Sequence, residues 1–349
     1  MLEQWVIIAD DLTGALDAAG PFAEHGVPVR AALSPPSLPE ALASGEGIVA
    51  VSTKSREVSA DEARKAIRQG LEALPPEVRI LKKIDSRLKG HISAEVAETL
   101  FLGYRRVVAA PAIPDLGRVV EGGLLQGFGI TRPLSVNAAF GGLAVPVQVP
   151  DITSDMDFDA VLARLAPDTL LAGARGLSFA LARRLGRGWS APRIPSAGRV
   201  LIAVGSRDPI TLRQVDVLRA GGTGMAYVPC PNGAAPPALP EPALATLVQL
   251  VAGGRDEPQE EVTARFAQTL VGLVRRTGAD TLIATGGETA QGVLDALGAA
   301  TLDVLGEAAP GVPMARAIFP GGELNVLTKS GGFGDPSLLA HLLGALRGA

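Results

Sequence analysis

The sequence is poor in the residues on which several kinds of function depend. Among 349 residues there is one cysteine, Cys230, and there are three histidines. A single cysteine excludes an internal disulfide and a cysteine-based structural zinc site. Aromatic residues make up 4%, and a net charge of −4 provides no basic excess to favour nucleic acid or an anionic membrane. With 47% hydrophobic residues, the chain is nevertheless an ordered globular protein.

Long hydrophobic runs are also missing. Every apolar stretch is broken by glycine, proline or a charged residue before it reaches the length of a membrane span. The first apolar run is too short for a signal peptide and follows no basic segment. We therefore expect a cytoplasmic protein.

What the sequence does contain is an alternation of short apolar runs with amphipathic stretches. The apolar runs predict strands at 6–9, 27–33, 47–52, 78–84, 106–110, 169–172, 200–204, 225–228, 281–284 and 324–328. The amphipathic stretches predict helices at 13–25, 60–74, 93–102, 158–165, 177–185, 211–219, 260–276 and 290–297, with one more from Pro336. Strands that alternate with helices in this way indicate βαβ units around mostly parallel sheets.

The length favours two domains. The segment 188–196 is the best linker candidate, and we predict an N-terminal domain at 1–190 and a C-terminal domain at 199–349. Loops and a hairpin are expected at 121–150, and a surface loop at 231–242. The predicted architecture is two α/β domains with mostly parallel sheets and a ligand cleft between them.

Two adjacent carboxylates, Asp10 and Asp11, end the first predicted strand. Successive side chains of a strand point in opposite directions, so one carboxylate can face a ligand while the other holds the next helix. Helix capping by Asp11 or Thr13 is the alternative, although it needs only one carboxylate. A phosphatase of the haloacid type would instead need Asp-x-Asp, which this pair does not match.

A polar loop follows another predicted strand and runs from Lys82 to His91. Its cations can hold a carboxylate, and Asp85 can accept hydrogen bonds from hydroxyl groups. Arg56, after the predicted strand at 47–52, can add a cation to the same site, and His91 lies next to the loop. A solvated basic turn is the alternative interpretation.

Three glycine-containing loops in the C-terminal half each join a strand to a helix. Gly205 and Ser206 form the first; Thr285–Thr289 and Lys329–Asp335 form the others. Paired glycines expose backbone N–H groups to phosphate, and Thr289 offers a hydroxyl group. Tight turns are the alternative for the first two loops.

Asp335 ends the last of these loops, just before a predicted helix. In sugar kinases of the ribokinase type a glycine-rich loop ends in such an aspartate, which acts as general base. That analogy concerns the design of the site and not the fold. Capping of the last helix is an equal alternative. The sequence has neither the Walker A pattern nor the Rossmann glycine pattern.

Taken together, these motifs resemble those of the four-carbon acid sugar kinase family, which includes 3-oxo-tetronate, D-threonate and D-erythronate kinases. They occur in the order ADDLTGA at 9–15, KKIDSRLKG at 82–90, PAIP at 111–114 followed by Gly117 and Arg118, GGET at 286–289 and KSGGFGD at 329–335. The resemblance implies an N-terminal domain that binds the sugar acid and a C-terminal domain that binds ATP. The reaction implied is transfer of the γ-phosphoryl group of ATP to the terminal hydroxyl group of a tetronate.

The motifs and the resemblance together give the expected site residues. We expect the acid to contact Asp10, Asp11, Arg56, Lys83, Ile84, Asp85, Ser86 and His91. We expect the nucleotide to contact Ser206, Gly286, Gly287, Glu288, Thr289, Lys329, Gly331 and Gly332. The general base stays open between Asp335, Asp11 and Asp85. ATP and Mg²⁺ are the implied cofactors, and the sequence assigns no metal ligand.

Two alternatives remain beside the kinase. One is a sensor that binds sugar acids without catalysis, and the other is a phosphatase that uses Asp10 and Asp11. As partners we expect only the sugar acid and ATP, with no nucleic acid and no membrane. A homodimer is left open.

Overall fold

The structure is a computed structural model that describes residues 4–43, 45, 47–76, 78–221, 224–241 and 243–348. The first three residues of the predicted N-terminal domain and Pro242, which ends the predicted surface loop, lie outside the described residues. The chain forms two compact units, Met1–Ala191 and Pro192–Ala349. Among the described residues, no helix has both the length and the apolar character that a bilayer-spanning segment requires.

The first unit contains a parallel sheet and a small antiparallel one. Its strands are β1 (Trp5–Ala9), β2 (Val29–Ala32), β3 (Ile48–Ser52), β4 (Arg79–Lys83), β5 (Arg106–Ala110), β6 (Arg118–Glu121), β7 (Leu124–Gly127), β8 (Leu134–Ser135), β9 (Val147–Gln148) and β10 (Thr169–Gly173). Its helices are α1 (Leu12–Glu24), α2 (Leu38–Leu42), α3 (Ala60–Glu72), α4 (Ile92–Thr99), α5 (Val136–Ala139), α6 (Asp155–Leu162) and α7 (Arg175–Leu185). The parallel sheet has the order β2-β3-β1-β4-β10-β5-β9, and β6, β7 and β8 pair separately.

The second unit repeats this arrangement in its first half. Its strands are β11 (Val200–Val204), β12 (Ala226–Pro231), β13 (Ala245–Val251), β14 (Thr281–Thr285), β15 (Thr301–Ala309), β16 (Val312–Phe319) and β17 (Gly322–Lys329). Its helices are α8 (Pro209–Ala220), α9 (Gln259–Thr277), α10 (Gly287–Leu297) and α11 (Leu338–Arg347). The order is β12-β13-β11-β14-β17-β16-β15, parallel up to β17 and antiparallel after it.

The sequence prediction of an α/β fold with mostly parallel sheets is confirmed, and most predicted elements differ from the observed ones by a few residues at their ends. Among the described strands of five or more residues, β13, β15 and β16 were not predicted; the short strand β9 and the short helices α2 and α5 were not predicted either. β13 is a central parallel strand, where burial on both faces removes the alternation of apolar and polar residues. β15 and β16 form an antiparallel hairpin whose pairing contains register shifts, which weaken a period-two pattern.

Each unit has its first strand between two strands that come later in the chain. β1 lies between β3 and β4, and β11 lies between β13 and β14. The chain therefore continues on one side of β1 and later on the other, and it does the same around β11. This reversal of the strand order creates a topological switch point at the carboxyl end of each of these two strands. All five residues of both strands are buried, so each switch point is fixed by the core.

Candidate functional site

Arg56 organises the residues at the carboxyl end of β1. Its Nε and Nη2 donate to the two carboxylate oxygens of Asp10, at 2.8 and 2.7 Å, and its Nη1 donates to Asp11 Oδ2 at 2.5 Å. Asp85 Oδ2 lies 3.8 Å from Nη2. A guanidinium that forms a forked bond with one carboxylate and a further bond with a second is largely neutralised by them. Arg56 therefore fixes the two aspartates, and its contact with an acid stays a prediction.

Asp10 and Asp11 differ in their protonation. Burial alone would raise the pKa of Asp10, but the charge and hydrogen bonds of Arg56, together with the charges of Lys82 and Lys83, outweigh burial and lower it. For Asp11, burial raises the pKa, Arg56 opposes this, and the charge of the neighbouring Asp10 adds to the rise. The two carboxylates in turn raise the pKa of Arg56. Asp10 is thus a fixed anion, whereas Asp11 is the carboxylate more ready to accept a proton.

Asp11 also starts α1, as the alternative interpretation of this motif predicted. Its Oδ1 accepts from Gly14 N at 2.7 Å, and its backbone is extended, as expected for an N-cap. Its other carboxylate oxygen binds Arg56. Capping and a place in the charged cluster are therefore combined in one side chain.

The two lysines that end β4 have different surroundings. Lys82 Nζ lies 2.7 Å from Glu95 Oε2 and donates to the carbonyl groups of Ile8 and Lys83, and Glu95 Oε1 accepts from Ser55 Oγ. This buried ion pair is part of the core. Lys83 Nζ donates to Ile84 O at 3.2 Å and lies 3.9 Å from Asp17 Oδ2, beyond hydrogen-bond distance.

Lys83 is the lysine of the pair that reaches the Asp11 cluster. A Cβ atom placed on Gly14 would lie 3.3 Å from Lys83 Nζ and 2.6 Å from Asp11 Oδ1. The absence of a side chain at Gly14 therefore lets the ammonium group approach the first turn of α1. Because one carbonyl occupies only one of its three N–H donors, Lys83 keeps donors for a ligand.

Asp85 and Ser86 continue the loop after β4. Asp85 Oδ1 accepts from the backbone N–H groups of Arg87 and Lys89, at 2.8 and 3.3 Å, which closes a turn. Ser86 Oγ accepts from Arg118 Nη1 at 2.6 Å. Arg118 was not among the predicted site residues, although it belongs to the motif at 111–118 that carried part of the resemblance.

His91 and Ile84 lie at the margin of this cluster. His91 precedes α4, and its Nε2 lies 2.6 Å from the carbonyl oxygen of Val58. Ile84 is buried and contributes its carbonyl oxygen to Lys83. The structure therefore places the predicted residues of the first unit around one switch point, with the two marginal ones contributing through backbone contacts. Their contact with an acid stays a prediction.

In the second unit the three predicted loops also meet at one place. Gly205 lies against Thr289, since a Cβ atom there would be 2.0 Å from Thr289 Oγ1. Gly331 lies against Ser206 in the same way, with a Cβ position 2.3 Å from Ser206 Oγ. The backbone of Gly286 has a φ of 98° and its N–H donates to Lys329 O. Only glycine adopts such a conformation readily, and it brings the three loops into contact.

Thr289 and Glu288 lie in the first turn of α10, after Gly286 and Gly287. Thr289 is buried and Glu288 is exposed. The N-terminus of α10 has N–H groups without intrahelical partners, which is favourable for an anion. Gly332 lies half-buried in the third loop.

Lys329 does not take the position expected of a phosphate-binding lysine. Its Nζ is directed at Thr211 Oγ1 and at the carbonyl oxygens of Ser330, Gly331 and Phe333, at 2.9–3.4 Å. These four acceptors outnumber the three donors of an ammonium group. Burial lowers the pKa of Lys329 to about 8, against the opposing charge of Asp208. The predicted direct contact with phosphate does not fit this placement, and Lys329 instead holds the loop from inside.

Asp335 is a capping residue in this structure. Its Oδ1 accepts from Ser337 N and Ser337 Oγ, at 2.7 and 2.6 Å, just before α11. The side chain is exposed, and the hydrogen bonds from Ser337 lower its pKa. A general base needs a pKa close to the operating pH, so the structure favours the capping interpretation over the catalytic one.

Sequence reasoning also missed the residues that connect α8 to the third loop. Thr211 Oγ1 donates to Gly331 O at 2.7 Å, and Gln214 Nε2 donates to the carbonyl oxygens of Phe333 and Asp335. Both side chains are buried on α8, a helix that the sequence predicts from the spacing of its apolar residues alone. Their polarity at buried positions was the signal that could have identified them.

Nearly the full length of the chain is similar to known enzymes. The D-threonate kinase of Bordetella bronchiseptica is 30% identical over 404 aligned residues, which cover 98% of this chain and 97% of the relative. The chain belongs to the four-carbon acid sugar kinase family. Another member of this family, the 3-oxo-tetronate kinase of Pseudomonas fluorescens, is 28% identical over 420 aligned residues, which cover 98% of the chain and 96% of the relative. The resemblance inferred from the motifs is confirmed.

Two domain models match this chain. A sugar-binding N-terminal domain matches residues 5–135, and a nucleotide-binding C-terminal domain matches residues 241–339. A solved structure from Salmonella typhimurium is similar with a TM-score of 0.76 and 21% identity, covering 99% of both chains. A Haemophilus influenzae structure is similar with a TM-score of 0.67 and 20% identity, covering 98% of this chain and 100% of the other. At these identities the two structures support the fold.

Proposed function

We propose that this protein is an ATP-dependent kinase that phosphorylates the terminal hydroxyl group of a four-carbon sugar acid. The observation that carries the proposal is the near full-length similarity to the D-threonate kinase of Bordetella bronchiseptica. The geometry agrees with it, because one unit gathers charged side chains at its switch point and the other gathers glycine loops at the equivalent place. Charged and polar side chains suit a hydroxy acid, and exposed backbone N–H groups suit phosphate.

The acid binds in the first unit, at the end of β1 and β4. Lys83 and Ser86 provide donors, and Asp85 provides a carboxylate oxygen for hydroxyl groups. Asp10 and Arg56 hold the cluster in place through their forked ion pair. Fixing the acid in this way supplies the orientation on which phosphoryl transfer depends.

Asp11 is the general base. It is the one of the two adjacent aspartates whose pKa is raised, first by burial and then by the charge of Asp10. A raised pKa suits a carboxylate that accepts the proton of the attacking hydroxyl group. Phosphoryl transfer passes through a loose transition state, so positioning contributes more than the base does.

The nucleotide binds in the second unit, at Ser206, Gly286–Thr289, Gly331 and Gly332. When bound, Mg²⁺ neutralises charge on the β- and γ-phosphate oxygens. The described residues contain no group of three or more His, Cys, Asp or Glu side chains able to hold a metal ion. Mg²⁺ keeps waters and phosphate oxygens as ligands and needs only one or two carboxylates from a protein. Asp208 is the carboxylate that would hold it: its backbone N–H donates to Ser206 Oγ, its Cβ atom lies next to Gly331, and one of its carboxylate oxygens already accepts from Ile210 N.

The test is ADP formation from Mg-ATP with a panel of D-threonate, D-erythronate and 3-oxo-tetronates. We expect turnover of one of these acids and a loss of kcat of about 100-fold or more in Asp11→Asn. Asp115→Asn, at an exposed aspartate paired with Arg175, serves as the control and keeps its activity. ADP formation that does not depend on any acid, or an Asp11→Asn variant with unchanged kcat, would contradict the proposal.

Two further measurements with the same acids distinguish the kinase from the sensor and from the phosphatase. A sensor binds an acid of the panel in a calorimeter but forms no ADP. A phosphatase releases phosphate from a phosphorylated acid without nucleotide, and its activity is lost in Asp11→Asn.

A further inference from the structure

Arg118 differs from Arg56, which is half-buried, and from Arg175, which is buried, in its partners. Arg56 binds two carboxylates, and Arg175 binds Asp115 at 2.5 Å with Asp17 at 3.7 Å. Arg118 is 3% exposed, yet among the described residues no carboxylate lies within 4 Å of its guanidinium nitrogens. Its hydrogen bonds go to the neutral groups Ser86 Oγ and Phe128 O.

A buried guanidinium without a carboxylate is unfavourable on its own. Burial lowers the pKa of Arg118, the charge of Arg87 adds to this, and Asp85 and Asp17 oppose it from beyond ion-pair distance. Buried charges in proteins are normally paired, because the cost of removing an ion from water exceeds what neutral partners return. The position therefore favours an anion supplied from outside the chain.

The donors of Arg118 can accommodate such an anion. An arginine has five N–H groups. Nε and one N–H of Nη2 reach Phe128 O, and one N–H of Nη1 reaches Ser86 Oγ. One donor on each terminal nitrogen remains, and a pair of such donors matches the two oxygens of a carboxylate.

The surrounding loop holds Arg118 in this position. Arg118 begins β6, and Phe128 follows β7, so the hairpin carries both the guanidinium and its carbonyl partner. A Cβ atom on Gly129 would lie 3.2 Å from Nη2, which shows how closely the backbone approaches the guanidinium. Through Ser86 the same group is connected to the loop after β4, where the acid is proposed to bind.

We propose that Arg118 is the residue that binds the carboxylate group of the sugar acid and so selects acids over neutral sugars. This rests on the function proposed above and assigns the acid end of the substrate to Arg118 and Ser86. The hydroxyl end of the substrate then extends toward Asp11 and Lys83.

The experiment is calorimetric binding without nucleotide, using D-threonate and its uncharged amide as a pair of probes. The wild-type protein should prefer D-threonate. In Arg118→Met the affinity for D-threonate should fall by roughly tenfold to 100-fold, whereas the affinity for the amide should change less than about twofold. Arg118→Lys, which keeps the charge but not the fork, should recover part of the preference.

Arg175→Met is the matched control, because it removes a buried arginine that already has its carboxylates. It should change the affinities for the acid and the amide by the same factor. Equal losses for the two probes in Arg118→Met, or a wild-type protein that does not prefer the acid, would overturn the assignment of Arg118. Absence of binding by any acid of the panel to the wild-type protein would overturn the proposed function itself.

Discussion

The two units have their candidate sites at the same point of the same strand order, but the contacts that form the two sites are of different kinds. β3-β1-β4 in the first unit corresponds to β13-β11-β14 in the second. Around β1 the contacts are ion pairs between side chains, with Arg56 joined to Asp10 and Asp11. Around β11 the contacts are glycine backbones against side chains, with Gly205 on Thr289 and Gly331 on Ser206.

The buried lysines show the same difference. Lys82 in β4 is paired with Glu95, whereas Lys329 at the end of β17 is surrounded by a hydroxyl group and carbonyl oxygens. A paired charge fixes the loop by attraction, and carbonyl groups around an ammonium fix it by satisfying its donors. We infer that a site for a hydroxy acid requires charged side chains held in fixed positions, whereas a site for a phosphate chain requires exposed backbone N–H groups.

The largest expected effect comes from breaking the ion pair of the first unit. Lys82→Met leaves Glu95 buried without its partner and should lower the free energy of unfolding by about 3–5 kcal/mol. Both tryptophans, Trp5 and Trp189, belong to this unit, so tryptophan fluorescence in urea reports its unfolding alone. The double variant Lys82→Met/Glu95→Gln should recover most of the loss. A decrease of less than about 1 kcal/mol in the free energy of unfolding of Lys82→Met would show that the ion pair does not stabilise this unit.

The second effect is a pH dependence carried by Lys329. Its pKa is lowered to about 8 in the folded protein from an ordinary value of 10.5, so the folded state loses this proton first. Between these two values the unfolded state holds more protons, and stability therefore rises with pH by at most about 1.4 kcal/mol per pH unit. Below pH 8 both states are protonated and the group adds no slope.

Comparison of the wild-type protein with Lys329→Met isolates this contribution. Urea unfolding followed by circular dichroism reports both units, and the part not seen by tryptophan fluorescence belongs to the second. The difference in stability between the two proteins should rise from pH 8 to pH 10.5 in that transition. A constant difference over this range would contradict a buried, charged Lys329.

The third effect tests the glycine contacts of the second unit. In Gly205→Ala the new Cβ atom would lie 2.0 Å from Thr289 Oγ1, so Thr289 must move. We expect a loss of about 1–3 kcal/mol in stability and weaker binding of ADP in a calorimeter. Gly344→Ala in α11, where a Cβ atom meets nothing within 4 Å, is the control and should leave both unchanged or slightly raise stability.

A second substitution separates packing from binding at this contact. Gly205→Ala/Thr289→Ala removes the clashing oxygen, so stability should return while the affinity for ADP stays low. Recovery of both would show that the Thr289 hydroxyl group does not contact the nucleotide.

The sequence predicted where the site residues lie better than what each of them does. The end of a parallel strand is a local property, so Asp10, Gly205 and Gly286 could be placed from composition alone. The partner of a cation is set by residues far along the chain. Arg56 is neutralised by carboxylates more than 40 residues earlier, and Arg118 is not. No local pattern distinguishes these two arginines.

The fold shows the same limit. β1, β5 and β11 are visible in the sequence because each is a compact apolar run. β15 and β16 are not, since their pairing depends on β17 and on a turn at Gly311 with a φ of 73°. Contacts between distant segments decide such strands, and single-sequence periodicity does not record them.

The smallest effect is expected at Asp335, and it is the one that tests the comparison most directly. If the chemistry depends on the fixed charges of the first unit, an exposed cap in the second unit should not matter for the reaction. Asp335→Asn should keep kcat within about twofold of the wild-type value and lower stability by about 1 kcal/mol or less, because it removes only surface hydrogen bonds to Ser337. Asp11→Asn, measured with the same acid, should lose about 100-fold. The opposite ranking would place the general base in the glycine-rich loop, and the division between a charged acid site and a backbone phosphate site would then be wrong.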